Sequence, residues 1–280
     1  MIDRETGCRR GNYVERKMLM KSRKSVTAAA LLSLVAAPAA LADQPATFAY
    51  SAVMTGATDY MFRGVSFTQG EPMINAYVEF TYGIAYLALS AENINSGSPD
   101  DIGYGALGPW EQDIYIGIRR TTGAIQWDMG LLWYIYGVRG GGVGVWDRDF
   151  FELKLGMSVS PTENLTIGAT SFYAPEQGLA LPEGLTLQGD VSYKLKNVGV
   201  FTPTLSATVG RWGLAENAHY VGGYFVDVDG DPHKSIVYWN AGLRLDVERL
   251  FFDFRYWDTN ISSSDTDARF VFSAGIDLSP

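Results

Sequence analysis

The side chains that could do chemistry in this chain are charged residues set within otherwise apolar-alternating stretches: Asp59, Arg63, Glu79, Asp113, Arg119, Asp128, Glu152, Lys154, Asp190, Lys194, Arg244, Asp246, Asp253, Arg255 and Arg269. Both signs are present, and acids slightly outnumber bases. Opposed acids and bases on one face of a sheet can line a wet constriction that sorts solutes through a transverse field. They can equally pair with one another and fill a narrow tube. Covalent chemistry finds little support. A lipid-modifying enzyme needs a nucleophile and a base held in hydrogen-bond geometry on a rigid element. The chain has two histidines, His219 and His233, and both fall in one long connection over 213–235, so no catalytic residue is assigned. The same connection carries Asp227, Asp229 and Asp231 around Gly230. Alternating carboxylates at a tight turn suit a hard cation such as calcium, but the later bidentate Glu of a calcium-binding hand is missing. A solvated acidic turn is the simpler reading, and no cofactor is expected.

The elements that would position the charges are strands. From about residue 47 to 278 the chain offers twelve stretches of alternating apolar and polar residues. The pattern is clearest in Ile74, Ala76, Val78, Phe80, Tyr82; in Ile125, Trp127, Met129, Leu131, Trp133, Ile135; in Phe151, Leu153, Leu155, Met157, Val159; in Leu185, Leu187, Val191, Tyr193, Leu195; and in Phe270, Phe272, Ala274, Ile276, Leu278. The other stretches lie near 47–63, 85–93, 110–119, 165–173, 202–212, 237–247 and 250–257. A strand turns successive side chains to opposite faces, so each stretch has one apolar face and one polar face. Placing the apolar register toward lipid turns every charge above inward. That is where it must be, because an Arg or Lys on the lipid face near the midplane costs roughly 2 to 4 kcal/mol.

A soluble sandwich would alternate in the same way, so the connections decide. Breaks near 82–83, 121–123, 161–164, 197–200 and 248–249 are tight, and longer polar connections over 65–72, 94–109, 137–147, 174–184, 213–235 and 258–268 lie between them. Short turns at one end, long loops at the other and an even strand number describe an antiparallel up-and-down transmembrane β-barrel of the outer-membrane kind. Trp110, Trp127, Trp133, Trp146, Tyr173, Tyr193, Trp239 and Tyr256 fall near segment ends or in the outward register, where amphipathic rings meet the lipid boundary.

The amino terminus supplies an address. Lys17, Lys21, Arg23 and Lys24, the apolar run 26–37 and Ala40-Leu41-Ala42 read as a secretory signal peptide over 18–42, cut after Ala42. Residues 1–17 precede a normal leader and read as a mis-assigned start, leaving 43–280 as one barrel domain. Cys8, the single cysteine, lies in the discarded part, so neither a disulfide nor a thiolate site is expected. The first 42 residues carry eight basic and three acidic side chains of the 22 and 31 in the chain, which leaves 14 against 28 and a net charge of −14. Such an excess excludes a nucleic-acid partner. It suits a surface whose acidic loops meet lipopolysaccharide through divalent cations.

One stretch carries a family resemblance. Asp59-Tyr60-Met61-Phe62-Arg63-Gly64, followed by Ser66, Thr68, Gln69, Gly70 and Pro72, resembles the opening signature of the TorF-like porin family, also described as the Gcw_chp conserved hypothetical outer-membrane proteins. The resemblance implies an outer-membrane barrel and a diffusion pore without an assigned substrate. In a continuous first strand, Asp59 and Arg63 would share one face, Tyr60 and Phe62 would face outward as an interface anchor, and Gly64 would open the turn. The ending Asp277-Leu278-Ser279-Pro280 departs from the terminal aromatic that barrel-assembly machinery commonly reads. The expectation is a passive channel for small hydrophilic solutes in a Gram-negative outer membrane, weakly cation-selective. The competing expectation is a closed barrel of structural or adhesin type, acting through its loops. Oligomeric state stays open.

Overall fold

A computed structural model describes residues 47–95, 108–136, 149–177, 183–214, 225–226, 228–229 and 231–280. The leader expected over 18–42, the extension before it, Trp146, His219 and Asp227 lie outside these residues. In chain order the strands are β1 (Phe48–Ala57), β2 (Met61–Phe62), β3 (Val65–Ser66), β4 (Met73–Tyr82), β5 (Ala85–Asn93), β6 (Trp110–Thr122), β7 (Ile125–Tyr136), β8 (Phe150–Val159), β9 (Leu165–Ala174), β10 (Gly184–Lys194), β11 (Thr202–Leu214), β12 (Phe225–Val226), β13 (Pro232–His233), β14 (Ser235–Val247), β15 (Leu250–Thr259) and β16 (Arg269–Asp277). Twelve of them close into one antiparallel barrel in the order β1-β16-β15-β14-β11-β10-β9-β8-β7-β6-β5-β4, while β2-β3 and β12-β13 form separate two-stranded pieces. The ring is sealed by β1 against β16, with Val53 opposite Asp277 and Ala57 opposite Ser273. Sealing leaves no open edge, so backbone donors and acceptors in the wall are satisfied where water is scarce.

Alternation builds the wall as the sequence leads one to expect. Outward positions such as Ile116, Leu187 and Val209 stay more than half exposed, at 55%, 55% and 56%, and form an apolar belt. A monomeric soluble protein does not expose so continuous an apolar surface, whereas a barrel in lipid must. Exposed Trp110, Trp133, Tyr173, Trp239 and Tyr256 sit toward one rim, and Phe48, Tyr50, Tyr82 and Tyr193 toward the other. The rim of tight turns, called here the turn end, has Gly83 and Gly123 with positive φ at its hairpins. The opposite rim carries the long connections and is the loop end.

The first strand departs from expectation. It stops at Ala57 instead of running to residue 63, its last ladder contact being the Thr58 N–H donating to the Phe272 carbonyl at 3.0 Å. The chain then turns into the barrel. The strands β2 and β3 pair as a hairpin, Met61 with Ser66 and Phe62 with Val65, inside the loop-end half of the lumen. Around it lies a buried apolar cluster of Val65, Phe67, Leu132, Tyr134, Trp212 and Tyr238, joined by Ile94, Tyr136, Ile236 and Ile261. Asp59 and Arg63 therefore do not share a face of a wall strand, and Tyr60 and Phe62 are not interface anchors: both pack against the inner cluster.

Candidate functional site

The hairpin is built by its own turn chemistry. Arg63 and Gly64, at its tip, both have positive φ, 51° and 85°, the backbone that a two-residue type I′ turn requires at both central positions. Gly64 adopts it freely. A β-carbon there would also lie 2.6 Å from Thr259 Cγ2 and 2.7 Å from Tyr238 Cβ, so only glycine lets the tip approach the wall. Arg63 has no such freedom, and the strain of a non-glycine residue in this region must be offset by what its side chain reaches.

It reaches the far wall. The hairpin springs from the junction of β1 with β4, yet the Arg63 guanidinium donates to Glu152 Oε1 at 2.8 Å and Oε2 at 2.5 Å, on β8, and to Thr186 Oγ1 at 3.0 Å, on β10. In the ring, β8 lies four strands from β4 and β10 lies five strands from β1. The hairpin thus bridges the lumen. The Arg63 and Glu152 side chains are 6% and 3% exposed. The guanidinium also stands over the rings of Phe62, Phe172 and Trp212, with 4.7, 4.6 and 5.4 Å to the ring centres. Tyr134 donates its hydroxyl to Glu152 Oε2 at 3.1 Å. A bidentate pair with aromatic faces around it suits arginine and would not survive replacement by lysine.

Asp59 fastens the base of the same segment. Its Oδ1 accepts from Ser66 Oγ at 2.6 Å and Thr68 Oγ1 at 2.7 Å, and its Oδ2 accepts from Arg269 Nη1 at 2.9 Å. Backbone bonds tie the segment to neighbouring connections, the Ser66 N–H donating to the Asp265 carbonyl and the Asn95 N–H to the Phe67 carbonyl, each at 2.7 Å. Phe62 packs edge-on against Tyr134 and Trp212. Every member of the motif 59–64 except Met61 thus has a named contact that seats the hairpin in the lumen.

Comparison with known proteins places the chain in a family. A family model described as "Bacterial protein of unknown function (Gcw_chp)" matches residues 39–274. The chain belongs to the Gcw_chp family. The TorF-like designation reaches further than this match. No curated protein matches the chain. Among solved structures, a KdgM porin is similar at 7% identity with a TM-score of 0.47, covering 81% of this chain and 98% of that one. A NanC porin gives 10% and 0.49 with coverage of 81% and 98%, and LpxR from Salmonella typhimurium gives 11% and 0.47 with 81% and 99%.

Below the hairpin of this Gcw_chp barrel, the turn-end half of the lumen is polar. Arg119 donates to Glu79 Oε2 at 2.9 Å and to Asp128 Oδ2 at 3.1 Å, Lys154 donates to Asp128 at 2.9 Å, and Tyr86 donates to the other oxygen of Asp128 at 2.8 Å. Arg119, Asp128, Lys154, Asp190, Thr166 and Ser206 border a cavity of about 550 Å³. Asp190 accepts from Gln188 and Thr208. Further round, Arg255 pairs with Asp253 and donates to Asn240 and Ser206. Arg244 pairs with Asp246 and stands over Phe251, and Lys194 is exposed at the turn end of β10. The expected charges therefore separate into four groups: Arg63 with Glu152 at the hairpin tip, Asp59 with Arg269 at its base, Asp113 buried at the loop end of β6, and a turn-end set.

Two inward acids were missed. Glu92 and Glu111 are buried beside Asp113 at the loop end, at 2%, 0% and 2% exposure. Both fall in the same parity as Ser90 and Asp113, but each sits at a strand end next to a long connection, where alternation alone does not separate wall from loop. Of the acidic turn weighed as a cation site and read as solvated, Asp229 and Asp231 are exposed.

Proposed function

We propose that the protein is a porin-like channel for small hydrophilic solutes in a Gram-negative outer membrane, in which the β2–β3 hairpin is the constriction and must yield for solute to pass. One observation carries this reading: Arg63, on a segment anchored at β1 and β4, is salt-bridged to Glu152 on the opposite wall. A segment that only stiffened the barrel would gain more from apolar contact, because a buried ion pair contributes little net stability over apolar residues of similar shape. What a buried pair does give is a discrete locked position, which a gate needs. The cavity beneath supports the same reading, since unfilled space among Arg119, Asp128, Lys154 and Asp190 is wettable and accepts polar solutes. The surplus of acids gives transport a weak cation preference. Export through the periplasm, insertion by the barrel-assembly machinery and contact with lipopolysaccharide belong to this proposal, and no covalent step does.

The buried apolar cluster around the hairpin favours a second reading, a permanently closed barrel that acts through its loops. Single-channel recording of the purified protein in a planar bilayer separates the two. The channel reading expects rare, small, salt-dependent steps that become frequent and larger in Arg63→Ala. A well-inserted Arg63→Ala barrel that stays silent would leave the closed-barrel reading standing.

A further inference from the structure

Three carboxylates meet inside the loop-end half of the barrel with no cationic partner among the described residues. Glu92 on β5 lies directly opposite Glu111 on β6, and Ser90 opposite Asp113, so the ladder itself brings the acids together. One oxygen from each of Glu92, Glu111 and Asp113 lies within 4.8 Å of the others. Among the described residues none of the three is ion-paired. Glu111 is fully buried, at 0% exposure, and among the described residues neither of its oxygens has a formed hydrogen bond, nor does Asp113 Oδ1; the neutral hydroxyls of Tyr136 and Tyr60 lie beside Glu111 without closing one.

Hydrogen-bond donors reach two of the three acids. Asn75 Nδ2 and Ser90 Oγ each donate to Glu92 Oε2 at 2.7 Å, and the Tyr115 hydroxyl donates to Asp113 Oδ2. The Tyr60 hydroxyl, from the hairpin segment, lies 3.5 Å from Glu92 Oε1. All four are neutral, and they leave Asp113 Oδ1 and both Glu111 oxygens without a formed hydrogen bond, in a cluster where one oxygen of each acid lies within 4.8 Å of the others. A buried polar atom without a partner is rare, and a bound ion is one of the things that accounts for it. Outer-sphere donors that orient carboxylates while leaving inner oxygens open are the usual surroundings of a metal ion.

We propose that Glu92, Glu111 and Asp113 bind one divalent cation of the calcium class. Calcium takes carboxylate oxygens at about 2.3 to 2.6 Å, so two oxygens on one ion lie at most about 5 Å apart. Three oxygens within 4.8 Å of one another meet that condition, and three carboxylates supply the hard, anionic donors calcium prefers. The site is separate from the acidic turn at Asp229 and Asp231, and it does not depend on whether the barrel conducts. Because Tyr60 contacts Glu92, the bound ion would also fasten the hairpin segment to β5.

The test uses the purified full-length protein, stripped with chelator and then titrated with calcium chloride, with thermal unfolding and terbium luminescence as readouts. Tyr60 and Tyr115 are placed to sensitise a terbium ion held there. The expected result is one saturable site, a melting temperature that rises with calcium, and terbium emission displaced by calcium. In Glu111→Gln, which keeps the shape and removes a charge, affinity should fall about tenfold or more. Should Glu111→Gln fail to assemble, Asp113→Asn carries the same expectation. Binding that is absent in the unmodified protein, or that persists unchanged in the variants, overturns the site and leaves calcium to the exposed loops. A Glu111→Gln protein that melts higher than the unmodified one without calcium, with no calcium response in either, also overturns it, because the acids are then held by shared protons.

Discussion

Replacing Glu152 with glutamine should unseat the hairpin and leave the barrel standing. The change keeps the side chain's volume and removes the carboxylate that Arg63 grips through two bonds of 2.8 and 2.5 Å. Breaking a buried pair by removing one partner costs about 3 to 5 kcal/mol, because the remaining charge has lost its compensation. Arg63 keeps Thr186 and three aromatic faces, which offset part of that loss, so the lower figure of about 3 kcal/mol applies. At about 1.4 kcal/mol per tenfold, the ratio of released to seated hairpin rises about 100-fold. Only Cys8 supplies a thiol in the natural sequence, so in a Cys8→Ser background a cysteine introduced at buried Val65 reports release through its maleimide labelling rate. That rate should rise about 100-fold in Glu152→Gln if it tracks the open population. The β-sheet circular dichroism and resistance to unfolding in mild detergent should not change. Adding Arg63→Met to Glu152→Gln removes both charges and should recover most of the protection, giving a strongly non-additive cycle. Labelling that does not respond to Glu152→Gln, or a double variant whose effect is the sum of the singles, would refute the lock.

Gly64→Ala places a β-carbon 2.6 Å from Thr259 at a φ of 85°. It should raise labelling at residue 65 by about tenfold or more, since backbone strain of this kind costs about 1 to 3 kcal/mol; unchanged labelling would mean that the tip has slack. Ile116→Arg puts a charge on an outward position that is 55% exposed at the middle of β6. It should cost about 2 to 4 kcal/mol in urea titrations of folding into vesicles, and a cost near zero would place that face in water or against protein. Arg119→Met leaves Glu79 and Asp128 without a shared cation, but the arginine side chain is 35% exposed, so the stability cost stays near 1 kcal/mol. The larger effect should appear in reversal potentials as increased cation preference, and a shift toward anions would contradict a field set by these acids.

The wall was legible because parity is a strict code. Once Ile125, Trp127, Met129 and Leu131 face lipid, Gln126 and Asp128 must face in, and the tight turns at Gly83 and Gly123 confine each pair to adjacent positions in the ring. Parity says nothing about where a long connection goes. The stretch 58–72 alternates well enough to read as strand followed by loop, and nothing in its own spacing reveals that the ladder ends at Ala57. The informative signal lay elsewhere in the wall, on β7 and β14. In Leu131-Leu132-Trp133-Tyr134-Ile135-Tyr136 alternation fails and both faces are apolar, and Ile236-Val237-Tyr238-Trp239 repeats the failure on β14. A strand apolar on both faces is buried on both. In a barrel one of those faces already meets lipid, so the other requires apolar filling inside the lumen at the same height. Those residues lie in the loop-end halves of β7 and β14, so the filling must come from a loop. Among the long connections described, the one after β1 brings Met61, Phe62, Val65 and Phe67 within seven residues, and a surface loop has no use for such a concentration. The apolar excess on β7 and β14 and the apolar excess after Ala57 are the two halves of one contact, and reading them together locates the hairpin that parity could not.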